Sequence, residues 1–95
     1  MYARVVRFTG AGSEAIEANV AAISANPEPP EGVRATRFLF LTDKANGTVV
    51  AISFHETDED MRAADAVLNE MSPDQAMGTR ESVDLAEVEL DLTPA

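Results

Sequence analysis

The chain contains a single histidine, His55, at the end of a segment (residues 48–55) whose alternation predicts a β-strand. Histidine is the side chain best suited to exchange protons near neutral pH, so His55 is the candidate general base of a catalytic site. Ser53, Thr36 and Phe38 lie on the same face of the predicted strands and are candidate substrate contacts. In the alternative interpretation, His55 is a half-exposed strand-end residue that only forms hydrogen bonds.

Four arginines lie on predicted strands, in a chain with a single lysine. They are Arg4, Arg7, Arg34 and Arg37. Strand arginines either bind an anionic ligand or pair with carboxylates. The excess of acidic residues favours pairing, with Asp84, Glu87 and Glu89 of the last predicted strand as the expected partners. Arg37, in the middle of its predicted strand, is the exception and is predicted to bind substrate.

Other chemistry has little support in the sequence. No cysteine is present, which excludes disulfides, zinc–thiolate sites and thiol nucleophiles. His55 has no partner at His-x-His or Glu-x-x-His spacing, so no metal site is predicted. The acidic segment 55–60 lacks the glycine and ligand spacing of a calcium loop and is typical of a helix N-terminus. We expect no cofactor.

Residues 8–16, FTGAGSEAI, spell G-x-G-x-x-A, a variant of the dinucleotide-binding fingerprint. That motif requires a parallel βαβ unit with an acidic residue about 20 positions further on. Here the acidic residues near that distance fall in a proline-rich loop, and Glu14 and Glu17 place negative charge where a pyrophosphate would bind. We therefore interpret Gly10 and Gly12 as a tight turn between a strand and a helix.

The composition describes one acidic globular domain spanning residues 1–95, with 45% hydrophobic residues and a net charge of −10. That charge argues against binding to nucleic acid or to anionic membrane surfaces. No apolar run approaches the roughly 20 residues of a membrane helix, and the first ten residues lack the apolar core of a signal peptide. We expect a cytoplasmic protein.

Periodicity predicts a βαββαβ order, the ferredoxin-like arrangement of a four-stranded antiparallel sheet with both helices on one face. The predicted strands are 2–9, 33–42, 48–55 and 82–92, and the predicted helices are 13–25 and 58–71. Asn46-Gly47 marks a hairpin between the middle strands, and Thr57 caps the second helix, with Asp60 three residues on. In the last strand the apolar parity changes near Ala86-Glu87. This change predicts either a β-bulge there or a strand that leaves one sheet and joins another, so that its buried face changes.

The helices are predicted to bury one stripe each. In the first helix the stripe is Ile16, Val20 and Ile23. In the second helix it is Met61, Ala64, Val67, Leu68 and Met71.

Both faces of the predicted hairpin are largely apolar. One face holds Val33, Ala35, Arg37, Leu39, Leu41, Val50, Ile52 and Phe54; the other holds Arg34, Thr36, Phe38, Phe40, Val49, Ala51, Ser53 and His55. An antiparallel sheet with one wet face should alternate apolar and polar residues, and the helices cover only one face. We therefore expect a two-fold, sheet-to-sheet homodimer; the alternative is a monomer with a ligand or a loop over that face.

The order of elements, the two-sided sheet and the segment SFHETDEDMRAADAVLNEMSP (53–73) resemble the dimeric α/β-barrel superfamily, nearest to its antibiotic-biosynthesis-monooxygenase-like group. The matching features are an aromatic strand end at Phe54, the acidic cap Thr57–Asp60 and the closing Ser72-Pro73. The resemblance implies a homodimer that forms a dimeric α/β barrel, a pocket between each sheet and its helices, and a last strand that reaches the partner. Members include cofactor-independent oxygenases acting on polyketide-like aromatics, haem-degrading enzymes, polyketide cyclases and proteins without known activity.

Catalytic members often carry Trp near the end of the third strand and His or Asn in the second helix. This chain has no Trp, and its second helix has no His, which argues against haem degradation. The resemblance implies Phe54 and Asn69 as substrate-binding residues. Two functional hypotheses follow. The first is a cofactor-independent monooxygenase or cyclase acting on a small aromatic or polyketide-like substrate. The second is a non-enzymatic dimeric module that binds a small molecule or a partner protein, or an accessory barrel without chemistry.

Overall fold

The fold is a ferredoxin-like α+β sandwich, seen in a computed structural model that describes residues 1–70 and 78–94. The elements are β1 (Tyr2–Thr9), α1 (Ser13–Ala25), β2 (Arg37–Asp43), β3 (Thr48–His55), α2 (Asp58–Glu70) and β4 (Thr79–Glu87). The four strands form one antiparallel sheet in the order β2-β3-β1-β4. The predicted βαββαβ order is therefore confirmed.

Both helices lie on one face of the sheet, which we call the helix face. Ile16 of α1 packs with Val6 and Phe8 of β1, and Asp65 of α2 binds Arg4. The side chains of Arg4, Val6 and Phe8 share one face, because successive strand residues point to opposite sides. The opposite face, which we call the open face, carries the odd-numbered residues of β1.

The turn between β1 and α1 is where the glycines are needed. Gly10 has φ +82° and Gly12 is extended at the helix N-cap, which confirms the interpretation of a tight turn. Gly47 of the β2–β3 hairpin, with φ +69°, lies directly against this turn: its carbonyl oxygen accepts a 3.2 Å hydrogen bond from the amide of Ala11. A Cβ atom at Gly47 would lie 2.6 Å from the Ala11 oxygen, so a side chain is excluded there.

Two strands differ from their predicted bounds. β2 begins at Arg37, because residues 33–36 instead close over the end of β3. β4 begins at Thr79 and ends at Glu87, where its partner β1 runs out: Glu87 pairs with Tyr2, and the amide of Val88 donates to the Met1 carbonyl.

The expected bulge near Ala86-Glu87 is wrong. The register shift lies between Arg7 and Phe8, where Glu81 is the extra residue on β4. The change in apolar parity instead coincides with the end of β4 at Glu87. That the chain then joins another sheet, the second alternative from the sequence, stays a prediction.

The predicted helix stripes are buried unequally. In α1, Ile16 is fully buried, but Val20 and Ile23 are 38% and 37% exposed, so the expected continuous buried stripe is wrong beyond its first turn. In α2, Met61 and Ala64 are buried, and Val67 and Leu68 are half-buried. Met71 and Ser72-Pro73 lie outside the described residues. Thr57 caps α2 as predicted, because its Oγ1 accepts a 3.0 Å hydrogen bond from the Asp60 amide.

None of the helices in the described ranges combines the length and apolar character needed to cross a membrane.

Candidate functional site

His55 lies on the helix face with no exposed surface. Its Nδ1 is 2.7 Å from the carbonyl oxygen of Arg34, and its Nε2 is 2.9 Å from the hydroxyl of Ser53. A carbonyl oxygen only accepts, so Nδ1 carries the proton, and in the neutral ring Nε2 accepts from the Ser53 hydroxyl. The ring is therefore held in one tautomer with both nitrogens satisfied.

The connector before β2 encloses this histidine. The amide of Thr36 donates to the Phe54 carbonyl at 2.8 Å, which fixes residues 33–36 against the end of β3. Gly32 approaches α2 so closely that a Cβ atom there would lie 3.2 Å from Val67 Cγ2. The predicted half-exposed position of His55 in the alternative interpretation is thus wrong, while the predicted hydrogen bonding is present; catalysis by His55 stays a prediction.

A second polar group joins β1, α2 and β4. Buried Arg4 donates from Nε to Asp65 Oδ1 at 2.9 Å and from Nη2 to Asn69 Oδ1 at 3.3 Å. Arg80 donates from Nη1 to the same Asn69 oxygen at 2.6 Å. Asp65 and Asn69 share a helix face because they are four residues apart.

The pairing expected for the strand arginines is present at Arg4, but its partner differs. The expected partners were carboxylates of the last strand, whereas Arg4 binds Asp65 of α2. Arg4 pairs with α2 because its side chain lies on the helix face. Asp84 lies beside Val5 on the open face, on the other side of the sheet. Asp65 lies four residues after Met61 and directly after Ala64, and both of these residues are buried. This position next to the buried face of α2 is the sequence signal that could have identified Asp65 as the partner of Arg4.

The predicted substrate contacts divide between the two sides of the sheet. Phe38 and Ser53 are cross-strand neighbours on the helix face, in the same row as Arg4. Arg37 and Phe54 are cross-strand neighbours on the open face. The predicted faces of these four residues are therefore confirmed, and the residues form two groups.

The group on the open face lines a groove of ≈ 410 Å³ at one end of the sheet. Its lining comprises Met1, Thr36, Arg37, Phe54, Val88, Leu90 and Asp91. Val88, Leu90 and Asp91 belong to the segment that follows β4, so the groove lies where the chain leaves the sheet. Arg37 supplies a cation to it and Phe54 an aromatic surface.

The open face carries a continuous apolar surface on three of its four strands, β2, β3 and β1. It comprises Val5, Leu39, Leu41, Val50, Ile52 and Phe54, which the register places in adjacent rows. Leu41 is 51% exposed and the other five are half-buried. The structure thus confirms that the predicted apolar residues of the hairpin lie together on this face.

Apolar side chains are also exposed on the helix side. Phe38 is 36% exposed, although it lies beside buried Ser53. Val20 and Ile23 follow Ile16 on the sheet-facing stripe of α1, yet both are more exposed than Ile16. The second half of α1 therefore packs less closely than its first turn and leaves these two apolar side chains partly accessible.

Tyr2 and Glu87 form a cross-strand pair at the edge of the helix face. The charge of Glu87 raises the pKa of Tyr2 above its ordinary 10.0, and the hydrogen bond to that carboxylate raises it further; burial and the charge of Asp58 act in the same direction. The tyrosine is thus held protonated as a hydrogen-bond donor, which is a structural role at the sheet edge.

No cluster of three or more His, Cys, Asp or Glu side chains suited to a metal ion occurs within residues 1–70 and 78–94. The chain was also compared with protein-family models, with curated proteins and with solved structures, and none of the three comparisons returned a match.

Proposed function

We propose that this chain acts as a homodimer, joined through the open face, in which each copy binds a small hydrophobic molecule between its helices and its sheet. The observation that carries the proposal is an apolar surface on the sheet face that neither α1 nor α2 covers. It is formed by Leu39, Leu41, Val50, Ile52 and their neighbours.

The energetics favour covering this face. An antiparallel sheet that stays in contact with water normally presents polar residues on its wet side. Full burial of a Val, Leu, Ile or Phe side chain contributes roughly 1.5–3 kcal/mol, so six of them supply a substantial driving force for association. A second copy is the fitting occupant because a two-fold axis through the face brings the same apolar rows together.

The charge distribution supports a second copy despite the net charge of −10. The paired strand positions of the open face carry Arg7, Arg37, Asp43 and Asp84, whose formal charges cancel. Glu81, at the bulge, adds one negative charge at the margin. Asp91 in the groove adds another. Most of the acidic residues nevertheless lie elsewhere, so a second copy on this face meets only part of the repulsion that the net charge of −10 implies.

The binding part of the proposal is supported by the helix side. Phe38, Val20 and Ile23 present apolar surface there. Ser53, the cross-strand neighbour of Phe38, and His55 are buried polar side chains of the same sheet face. Pockets for small molecules are mostly apolar with a few placed polar groups, and this side of the sheet offers that combination.

An arginine placed in the open face tests the dimer. We expect Ile52→Arg to convert the dimer to a monomer in sedimentation velocity, because a guanidinium would be desolvated at the interface. Ala66→Arg, on an exposed position of α2, adds the same charge away from the face and should leave the dimer intact. Equal molar masses for the two variants and the wild type would contradict the proposed interface.

A cofactor-independent monooxygenase or cyclase is the second candidate function, and the Ser53–His55 pair favours it. The fixed tautomer of His55 directs an unprotonated Nε2 at the Ser53 hydroxyl, which is the arrangement of a proton acceptor. Turnover of aromatic polyketide-like compounds that is lost in His55→Gln but kept in the folded Arg62→Gln control would support it. Turnover that is equal in the two variants would remove His55 from the reaction.

A further inference from the structure

The two guanidinium groups of Arg4 and Arg80 converge on one neutral oxygen. Arg4 and Arg80 both donate to Asn69 Oδ1, at 3.3 Å and 2.6 Å. The distance between the two donating nitrogens is therefore at most the sum of these two hydrogen-bond lengths. Like charges repel at this range, and an amide oxygen offsets that repulsion less than a carboxylate oxygen would. The arrangement therefore favours an anion.

The charge balance of this cluster is positive within the described residues. Asp65 is the carboxylate that hydrogen-bonds to the pair there, and it binds Arg4 alone. Asn69 contributes no charge. Two cations and one carboxylate leave an excess of one positive charge, in a chain whose net charge is −10. Salt screens the distant acidic residues over about 8 Å, so the groups that bear most on the local potential are the two guanidinium groups, Asp65 and the chain neighbours Glu70 and Glu81.

The cluster is also preorganised. Arg4 is buried and fixed by Asp65, so its side chain has already lost its rotational freedom before any ligand arrives. Arg80 and Asn69 are exposed, which places them where a ligand could enter. One fixed and one accessible guanidinium suit the recognition of a small anionic group that the planar N–H donors bind in pairs.

The surroundings of the cluster are apolar. Leu85 lies beside Arg4 in the same row of the helix face, Val83 lies beside Val6 in the next row, and both are half-buried. Leu68, half-buried on α2, directly precedes Asn69. A ligand held by the arginines would therefore place its remaining atoms against aliphatic side chains.

We infer that Arg4 and Arg80, whose guanidinium groups meet at Asn69 Oδ1, bind the carboxylate of a small hydrophobic acid. The inference rests on the ligand-binding part of the proposed function and specifies the class of that ligand: a carboxylate with an apolar body. The carboxylate accepts hydrogen bonds from both guanidinium groups and takes the place that Asn69 Oδ1 now fills.

Two compounds of nearly equal shape, 2-naphthoate and 2-naphthamide, separate charge from hydrophobicity. Binding is followed by NMR titration, with the arginine Nε–H signals as site-specific reporters. The informative variants are Arg80→Gln, which removes the accessible cation, and Asn69→Asp, which supplies an internal carboxylate to both arginines. Arg62→Gln is the matched control, because Arg62 is an exposed arginine paired with Asp58 on the same helix.

We expect 2-naphthoate to bind at least about ten-fold more tightly than 2-naphthamide and to shift the Nε–H signals of Arg4 and Arg80. Arg80→Gln should remove that preference and leave 2-naphthamide binding unchanged, whereas Arg62→Gln should behave as the wild type. Asn69→Asp should raise Tm and abolish binding of 2-naphthoate, since the internal carboxylate competes for the same donors.

Each contrary result has a distinct meaning. Equal affinities for the two compounds, or a preference that persists in Arg80→Gln, would overturn the inference and leave the proposed function standing. Saturation by inorganic phosphate at the same concentrations, with the same dependence on Arg80, would overturn the assignment to a carboxylate. Binding of neither compound at millimolar concentration would overturn both the inference and the ligand-binding part of the proposed function.

Discussion

The Nδ1 atom of His55 lies 2.7 Å from the carbonyl oxygen of Arg34, a residue 21 positions earlier in the chain. This contact ties the connector before β2 to the end of β3, and it determines which ring nitrogen carries the proton. Because the chain has one histidine, the tautomer is directly observable. We expect two-dimensional ¹H–¹⁵N NMR of the neutral ring to show the Nδ1–H form; the Nε2–H form would contradict the hydrogen-bond assignment.

Removing the His55 side chain should destabilise the fold. His55→Ala leaves a cavity and two unpaired polar groups, the Arg34 carbonyl and the Ser53 hydroxyl, beneath the connector. We expect a loss of about 3 kcal/mol in the free energy of unfolding, measured by urea denaturation. Thr36→Ala, which removes an exposed hydroxyl at 3.3 Å from the Phe54 carbonyl, should change it by less than about 1 kcal/mol. Equal losses in the two variants would count against a buried, doubly bonded histidine.

The Arg4–Asp65 pair should be costly to break from one side. Asp65→Ala leaves the buried Arg4 guanidinium without its carboxylate, and we expect a loss of about 2–3 kcal/mol in the free energy of unfolding. The exposed pair of Arg62 and Asp58 serves as the control: Arg62→Ala should change stability by about 0.5 kcal/mol or less. The double variant with Arg4→Met and Asp65→Leu should recover most of the loss. A double variant less stable than Asp65→Ala alone would contradict this account.

Two glycines with positive φ allow backbone strain to be separated from steric exclusion. A Cβ atom at Gly10 would have no neighbouring atom within 4 Å, whereas a Cβ atom at Gly47 would lie 2.6 Å from the Ala11 oxygen. Gly10→Ala should therefore cost about 1 kcal/mol, from the left-handed conformation alone. Gly47→Ala should cost at least about 2 kcal/mol, because the hairpin must also move away from the turn. Equal losses in thermal or urea unfolding would show that the contact between the two turns is not maintained.

Tyr2 gives a readout of the β1–β4 edge, since it is the single tyrosine of a chain without tryptophan. Absorbance at alkaline pH should give a tyrosine pKa above 10.0, because ionisation brings a second negative charge next to Glu87. Glu87→Gln should lower that pKa. The raised pKa means that the folded state holds the proton more tightly, so this contribution to stability is present below pH 10 and is lost as the pH rises through the folded-state pKa. An unchanged pKa in Glu87→Gln would contradict the pairing.

Much of the fold could be predicted because its signals are local. The bounds of β1, α1 and β3 agree with the sequence prediction, because each element has a clear period. Each is also followed within two residues by a glycine, a proline or a helix-capping residue. The bounds of β4 differ from the prediction because its end depends on where β1 begins, which is a property of the partner strand. The exposure of Val20 and Ile23 does not follow from the sequence, because periodicity identifies the inward face of a helix but not how closely that face packs.

The polar cluster of Arg4, Asp65, Asn69 and Arg80 was harder to predict, because its members come from distant parts of the chain. Arg4 and Asp65 are 61 positions apart, and Arg80 meets Arg4 only through Asn69 on a third element. Sequence patterns indicated Asn69 through the resemblance and Arg4 through its place on a strand, but nothing local joined them. The division of the predicted contacts between two faces follows from parity, and the alternation along the hairpin strands had already placed Arg37 and Phe54 on one face and Ser53 on the other.

The molar mass of the wild-type chain tests the central claim most directly. Light scattering coupled to size-exclusion chromatography, over a range of micromolar concentrations, should give twice the chain mass of 10.1 kDa, because the apolar rows of the open face are then buried against a second copy. A mass of 10.1 kDa at every concentration would contradict the dimer and would mean that Leu41, Ile52 and their neighbours stay in contact with water or are covered in another way.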